Sequence, residues 1–203
     1  MFTGIIQAMG RVEALEPTGG DLRLRLATGE LDMAGASLGD SIAVNGVCLT
    51  AVALGDSGFN ADVSQETLSL TTLGDLRVGS PVNLEPSLTL SSPLGGHLVS
   101  GHIDGTGSLV SLTREARSTR MVFEVPAGLE RYLARKGSVA IDGTSLTINE
   151  VSGPTIGVNI VPHTLERTIM GSYAEGTRVN IEVDLIARYL ERLMLADGQA
   201  PAL

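Results

Sequence analysis

The chain has 203 residues, 43% of them hydrophobic and 18% charged, the balance of a globular protein with one or two cores. A net charge of -9, with three Phe, three Tyr and no Trp, argues against nucleic acid, which needs clustered Lys and Arg and aromatic faces for its bases. No run of 18 apolar residues offers a membrane span, Met1-Phe2-Thr3-Gly4 lacks a basic leader, and the lone Cys48 has no disulfide partner, so a cytoplasmic location is the default expectation.

In chain order, the patterning is that of short strands. Asp21–Leu26, Ser41–Val44 and Ser80–Leu84 alternate or run apolar for a few residues between Gly, Asn and Asp clusters. Asn45-Gly46 and Asp142-Gly143 predict tight hairpins, because both turn positions need a positive φ. Ser64–Leu68, Gly128–Arg135 and Pro162–Arg167 read as short helical pieces, and Ser91–His97 as a linker. One longer helix is expected at the end. Asp184 is its N-cap, and Leu185, Ile186, Tyr189, Leu190, Leu193 and Met194 form an apolar stripe that packs either on its own barrel or on another subunit. The tail, Ala196–Leu203, is expected to fray.

The chain repeats itself at an offset of 97 residues. Ser41-Ile-Ala-Val-Asn-Gly-Val-Cys-Leu-Thr50 returns as Ser138-Val-Ala-Ile-Asp-Gly-Thr-Ser-Leu-Thr147, and Val82-Asn-Leu-Glu85 as Val179-Asn-Ile-Glu182. Nineteen of the first 97 positions are identical to their counterparts, where average composition gives about six. The reading is all-β: two tandem closed antiparallel barrels, residues 1–97 and 98–186, with a C-terminal helix and tail at 187–203.

There is no P-loop, dinucleotide glycine pattern, paired Cys or metal-spaced His pair. The chemical signal lies in where the repeats diverge. After each hairpin, Leu49 and Ala51, or Leu146 and Ile148, point into a barrel, while Cys48 and Thr50, or Ser145 and Thr147, line an exterior groove. Hydroxyls there suit a neutral, hydroxyl-rich ligand, although solvated strand faces would read the same way. The symmetry is broken at Cys48 against Ser145, Ile5 against His102, Glu66 against His163, Gly39 against Lys136 and Ser87 against Asp184.

Met1-Phe-Thr-Gly-Ile-Ile6, Asn45-Gly-Val-Cys-Leu-Thr50, Gly95-Gly-His-Leu-Val-Ser-Gly-His-Ile103, Lys136-Gly137, Asp142-Gly-Thr-Ser-Leu-Thr147 and Pro162-His-Thr-Leu-Glu-Arg-Thr168 resemble the alpha-type riboflavin synthase family over residues 1 to about 190. The resemblance implies two six-stranded barrels, a helix that helps assemble a homotrimer, and a dismutation that needs no cofactor or metal. Two molecules of 6,7-dimethyl-8-ribityllumazine would give riboflavin and 5-amino-6-(ribitylamino)uracil. It implies a first-barrel ligand site of Gly4, Ile5, Ile6, Cys48, Leu49, Thr50 and Asp62, Val63, Ser64, Gln65, Glu66, Thr67. The second-barrel site would be Gly101, His102, Ile103, Lys136, Ser145, Leu146, Thr147 and Ile160, Val161, Pro162, His163, Thr164, Leu165. Ser41, Cys48, Thr50, His102, Ser145 and Asp184 are the catalytic candidates, with Thr147 beside them, Cys48 as nucleophile and His102 as proton-transfer group. Lumazine synthase, which makes the substrate, is a candidate partner. The sequence departs from the family at His163, where some members carry Glu. The rival readings are a lumazine- or flavin-binding antenna protein of the same fold and the FAD-binding barrel of a flavoprotein reductase.

Overall fold

The computed structural model describes residues 1–196; the rest of the expected tail, 197–203, lies outside the described residues. The first half builds β1 (Ala8–Thr18), β2 (Asp21–Ala27), β3 (Ser41–Val44), β4 (Val47–Gly55), β5 (Gly58–Val63) and β6 (Pro81–Pro86). They close into a barrel in the order β1-β2-β5-β4-β3-β6. The second half repeats that order with β7 (Gly105–Glu115), β8 (Ser118–Glu124), β9 (Ser138–Ile141), β10 (Thr144–Ser152), β11 (Thr155–Ile160) and β12 (Arg178–Val183). Closure removes the free edges that an open sheet of such short strands would leave. Asn45, Gly46, Asp142 and Gly143 all have positive φ, as the tight hairpins demand. Even the bulges recur at the repeat offset. Registers shift at Val12/Ala14 and Leu109/Ser111, and again at Ala51/Ala53 and Ile148/Glu150, bending the strands around each barrel.

Alternation fills the two interiors separately. Leu24, Leu26, Leu49, Phe59 and Leu84 are buried in the first core, and Leu109, Phe123, Ile148, Ile156 and Ile181 in the second. Each such side chain contributes ~1.5–3 kcal/mol when fully buried.

Short helices sit where strands leave the barrels. α1 (Gln65–Leu70) is capped by Ser64, whose side chain accepts from the Thr67 N–H, and α2 (Pro162–Arg167) starts on a proline. Gly128–Arg135 departs from its expected helix: only Glu130–Tyr132 forms a single 3₁₀ turn. Gly128 adopts a φ of 93°, no side chain caps Leu129, and Leu133 turns extended to enter the second core. α3 (Leu185–Ala196) follows Asp184, which accepts the Ile186 N–H at 3.0 Å. Among the described residues no helix is long and apolar enough to cross a membrane.

α3 presents its polar side to its own barrel. The Arg188 guanidinium reaches Asp104 at 2.8 Å and the His102 carbonyl at 2.9 Å, while Glu191 accepts from the Tyr132 hydroxyl and pairs with Arg131. The apolar stripe therefore points outward, with Ile186 71%, Tyr189 66% and Leu193 64% exposed. Of the two packings the sequence allowed, the stripe does not cover its own barrel.

The barrels meet around an approximate two-fold axis. Gly46 and Gly143 touch backbone to backbone there, and a Cβ on Gly46 would lie 2.6 Å from the Gly143 nitrogen. The buried Asn83 and Asn180 reach across it. Asn83 Nδ2 donates to the Asp142 carbonyl and its Oδ1 accepts from Ile169; Asn180 Nδ2 donates to the Asn45 carbonyl and its Oδ1 accepts from Thr72. Each of these four bonds is worth ~1 kcal/mol net, but an orphaned partner would cost ~1–3 kcal/mol. The network thereby fixes how one barrel sits on the other. Asp142 departs from its counterpart Asn45. Burial pushes its carboxyl up to about 7, although it accepts from Tyr173 and from Asn180 N.

Candidate active site

In each barrel one pair of strands parts. β4 pairs with β5 from Ala51↔Ala61 onward, leaving Val47–Thr50 paired to β3 alone. In the second barrel, Thr144–Thr147 pairs only with β9. A glycine from the other repeat enters each seam. The Cys48 N–H donates to the Gly101 carbonyl at 2.9 Å, and the Ser145 N–H to the Gly4 carbonyl at 2.7 Å. Only glycine fits: φ is 75° at Gly4 and 81° at Gly101, and an added Cβ would lie 2.5 Å from Ser145 Cβ or 2.6 Å from Cys48 Cβ.

Two buried carboxylates pin these segments. Glu85 accepts from Thr3 N at 2.7 Å, Thr3 Oγ1 at 2.6 Å and Gly4 N at 3.0 Å. Glu182 does the same with Ser100 N at 2.7 Å, Ser100 Oγ at 2.6 Å and Gly101 N at 2.9 Å. Burial pushes both carboxyls up from the usual range, and the donors pull back against it. The Phe2–Val99 bridge runs beside both segments, and Phe2, Val99, Ala43 and Ala140 form a small apolar cluster on which Cys48 packs.

The crossing regroups the residues that the sequence assigned barrel by barrel. Gly101 and Ile103 lie with the first barrel, Ile103 against its core and Gly101 on Cys48, while the carbonyl of the exposed His102 between them accepts from Arg188 of α3. Gly4 lies on Ser145, and Ile6 Cδ1 comes near Gly143. The sequence grouped Gly101–Ile103 with the second barrel and Gly4–Ile6 with the first; in the structure the Gly101 segment meets Cys48 and the Gly4 segment meets Ser145. The physical reason is that both segments cross the two-fold axis before entering a seam.

Thr50 is exposed opposite Ser41, and Thr147 is exposed opposite Ser138. Leu49, Val63 and Ile160 are buried in the cores, and Leu146 and Leu165 pack on the second, so these five offer a ligand backbone rather than side chain. Asp62 is held by Arg23 through bonds of 2.7 and 2.8 Å, which hold its carboxyl below the usual range. Ser64, Gln65, Glu66 and Thr67 open α1; Val161, Pro162, His163 and Thr164 open α2. Lys136 is exposed at a φ of 71°, where its counterpart Gly39 has 92°. A side chain held in that region costs of order 1 kcal/mol or more, the kind of strain that functional sites retain. Cys48 is half-buried and packs on the apolar cluster of Phe2, Val99, Ala43 and Ala140.

One residue was missed. His97, read as the end of the linker, is buried with Nδ1 2.7 Å from Ser145 Oγ. Burial holds its imidazole below the usual range, and Asp184 pulls the other way. The pinning carboxylates were missed as well, although a Glu closing each apolar Val-Asn-Leu/Ile-Glu run was a visible signal. A cavity of ≈ 500 Å³ lies beside the N-terminal segment, between Thr3, Ile5 and Glu85 and the linker at Ser92–Gly95, and takes in neither Cys48 nor Ser145.

Comparison with known proteins agrees with this geometry. The lumazine binding domain family matches the chain twice, at residues 3–87 and 100–184. The chain belongs to the lumazine-binding family. It is 46% identical to a riboflavin synthase of Mycobacterium bovis over 202 residues, covering 98% of this chain and 100% of the relative. It is 44% identical to a riboflavin synthase of Photobacterium phosphoreum over 197 residues, covering 97% and 90%. Among solved structures, LumP complexed with riboflavin superimposes with a TM-score of 0.83 at 27% identity, covering 90% of this chain and 99% of that one. LumP complexed with 6,7-dimethyl-8-(1'-D-ribityl) lumazine gives 0.81 at 26% identity, with the same coverage.

Proposed function

We propose that this member of the lumazine-binding family catalyses the dismutation of two 6,7-dimethyl-8-ribityllumazine molecules. One passes a four-carbon unit to the other, yielding riboflavin and 5-amino-6-(ribitylamino)uracil. The observation that carries the reading is the pair of equivalent seams with unequal side chains: Cys48 against Gly101 at one, Ser145 bonded to His97 at the other. Two like molecules bound at unlike sites acquire different roles, donor and acceptor. Holding both heterocycles together removes an encounter cost that effective molarities put at ~7–11 kcal/mol.

In this reading the groove of the first barrel uses Thr50, the start of α1 and the Gly101–Ile103 segment, with Ser41 behind Thr50. The groove of the second uses Ser145, Thr147, the start of α2 and the Gly4–Ile6 segment, with Lys136 and Asp184 at its margin. His102 is the proton-transfer group. Residues 1–97 and 98–186 are the two ligand-binding units. The productive pair joins the first barrel of one subunit to the second barrel of a neighbour. The outward stripe of α3 supports a homotrimer that brings them together. The assembly works in the cytoplasm, and lumazine synthase is a partner to be tested by co-sedimentation.

Incubating the purified protein with the lumazine tests the reading. One riboflavin should appear for every two lumazines consumed, followed by chromatography. Tight binding without riboflavin would favour the antenna reading instead.

A further inference from the structure

The second groove carries a device that the first lacks, and its use rests on the function proposed above. The linker reaches Ser145 through Gly95 and Gly96. A Cβ on Gly96 would lie 2.2 Å from the Thr3 carbonyl oxygen and 2.7 Å from Ser145 Cβ, so only glycine passes between them. The next residue, His97, donates its backbone N–H to that Thr3 carbonyl at 3.0 Å and sets Nδ1 2.7 Å from Ser145 Oγ. Nε2 is buried without a partner among the described residues. An orphaned buried nitrogen destabilises the fold, a cost a linker histidine would not carry unless its other nitrogen were in use. At the corresponding place in the first groove, Cys48 packs on Phe2 and Val99.

We propose that His97 is a positioning residue that makes the two grooves unequal: as a neutral imidazole it accepts at Nδ1 the hydrogen bond donated by the Ser145 hydroxyl and turns the serine's lone pairs toward the ligand. The second groove thereby offers a fixed acceptor and binds the same ligand more tightly than the first. Protonating the ring removes the acceptor at Nδ1 and reverses the bond. Burial lowers the pKa of His97 from 6.5, so the second site should weaken only as pH falls below that value. Asp184 is the charged group that acts on the ring and opposes the lowering. Ser145 on β10, Thr3 on the N-terminal segment and Gly96 on the linker contribute uncharged atoms, and Glu85 lies behind Thr3, bonded to it.

The test is calorimetric titration of the full-length protein with riboflavin, resolving two sites per chain. His97→Ala should weaken one site about tenfold, the size of one lost hydrogen bond, and leave the other unchanged as an internal check of folding. His97→Asn, whose amide occupies the place of Nδ1, should restore that site and abolish its loss below pH 6.5; His97→Gln, which reaches the place of Nε2, should not restore it. Two sites that both ignore His97→Ala, or an acid loss that survives in His97→Asn, would overturn the inference while leaving the proposed reaction intact. A wild-type protein that binds no riboflavin and forms none would overturn both.

Discussion

Replacing Asp142 with Asn should flatten the pH dependence of stability between about pH 4 and pH 7. The Asp142 carboxyl is fully buried at the junction of the barrels and is pushed from 3.8 to about 7. Between those values the unfolded chain has released its proton while the folded chain still holds it. The unfolded state binds fewer protons, so stability is greatest below pH 4, falls as pH rises, and levels off above about 7. A shift of about three units at ~1.4 kcal/mol each sets an upper bound of roughly 4 kcal/mol on the loss. Glu85 and Glu182 are raised in the same direction and add to the slope, so the difference between variant and wild type is the informative quantity. Asn is the residue at the equivalent place in the first half, where its Oδ1 accepts from Asn83 N just as Asp142 Oδ1 accepts from Asn180 N. The variant therefore keeps the geometry without the charge. Urea unfolding at pH 5 and at pH 8.5 samples the two units from pH 5 to about 7, so the wild type should lose more stability than Asp142→Asn by up to roughly 3 kcal/mol. Identical pH slopes in the two proteins would refute the argument.

Glu182→Gln should lower stability by ~1–3 kcal/mol, because one of its three donors meets an amide NH₂ instead of an acceptor; urea unfolding measures it, and turnover should fall with it as the Gly101 segment loosens. Gly101→Ala should abolish turnover with both barrels still folded by circular dichroism, because the new methyl collides with Cys48; Gly35→Ala, with open space and no positive φ, is the neutral control. Cys48→Ser should keep most of the steady-state turnover, since Ser145 holds the same position in the second half; a hundredfold loss would restore the nucleophile role. Leu190→Lys, on the exposed stripe of α3, should convert the assembly to smaller species by sedimentation velocity.

The fold was legible because the information was local and written twice. A hairpin at Asn45-Gly46 follows from two residues that tolerate positive φ, and its return at Asp142-Gly143 removes the ambiguity that a single short strand carries. The alternation after each turn placed Leu49 inside and Thr50 outside without any knowledge of the partner strands. Gly128–Arg135 was misread because helical spacing is cheap over eight residues, and the left-handed backbone of Gly128 is invisible to a periodicity. The crossing of the two glycine segments was hidden for a different reason. Position by position, Gly4 corresponds to Gly101, and equivalence within a repeat suggests that each stays with its own barrel. The alignment is equally satisfied if each crosses to the other barrel, because exchange about a two-fold axis preserves every correspondence. Only the contact of Gly4 with Ser145, and of Gly101 with Cys48, distinguishes the two arrangements. The exchange also explains why both glycines and both pinning glutamates persist in a pair of repeats that have diverged elsewhere. Each half fills the other's seam, so a change that spoils one plug damages the groove of the opposite barrel, and the two halves are bound to one another through the very positions that shape their sites.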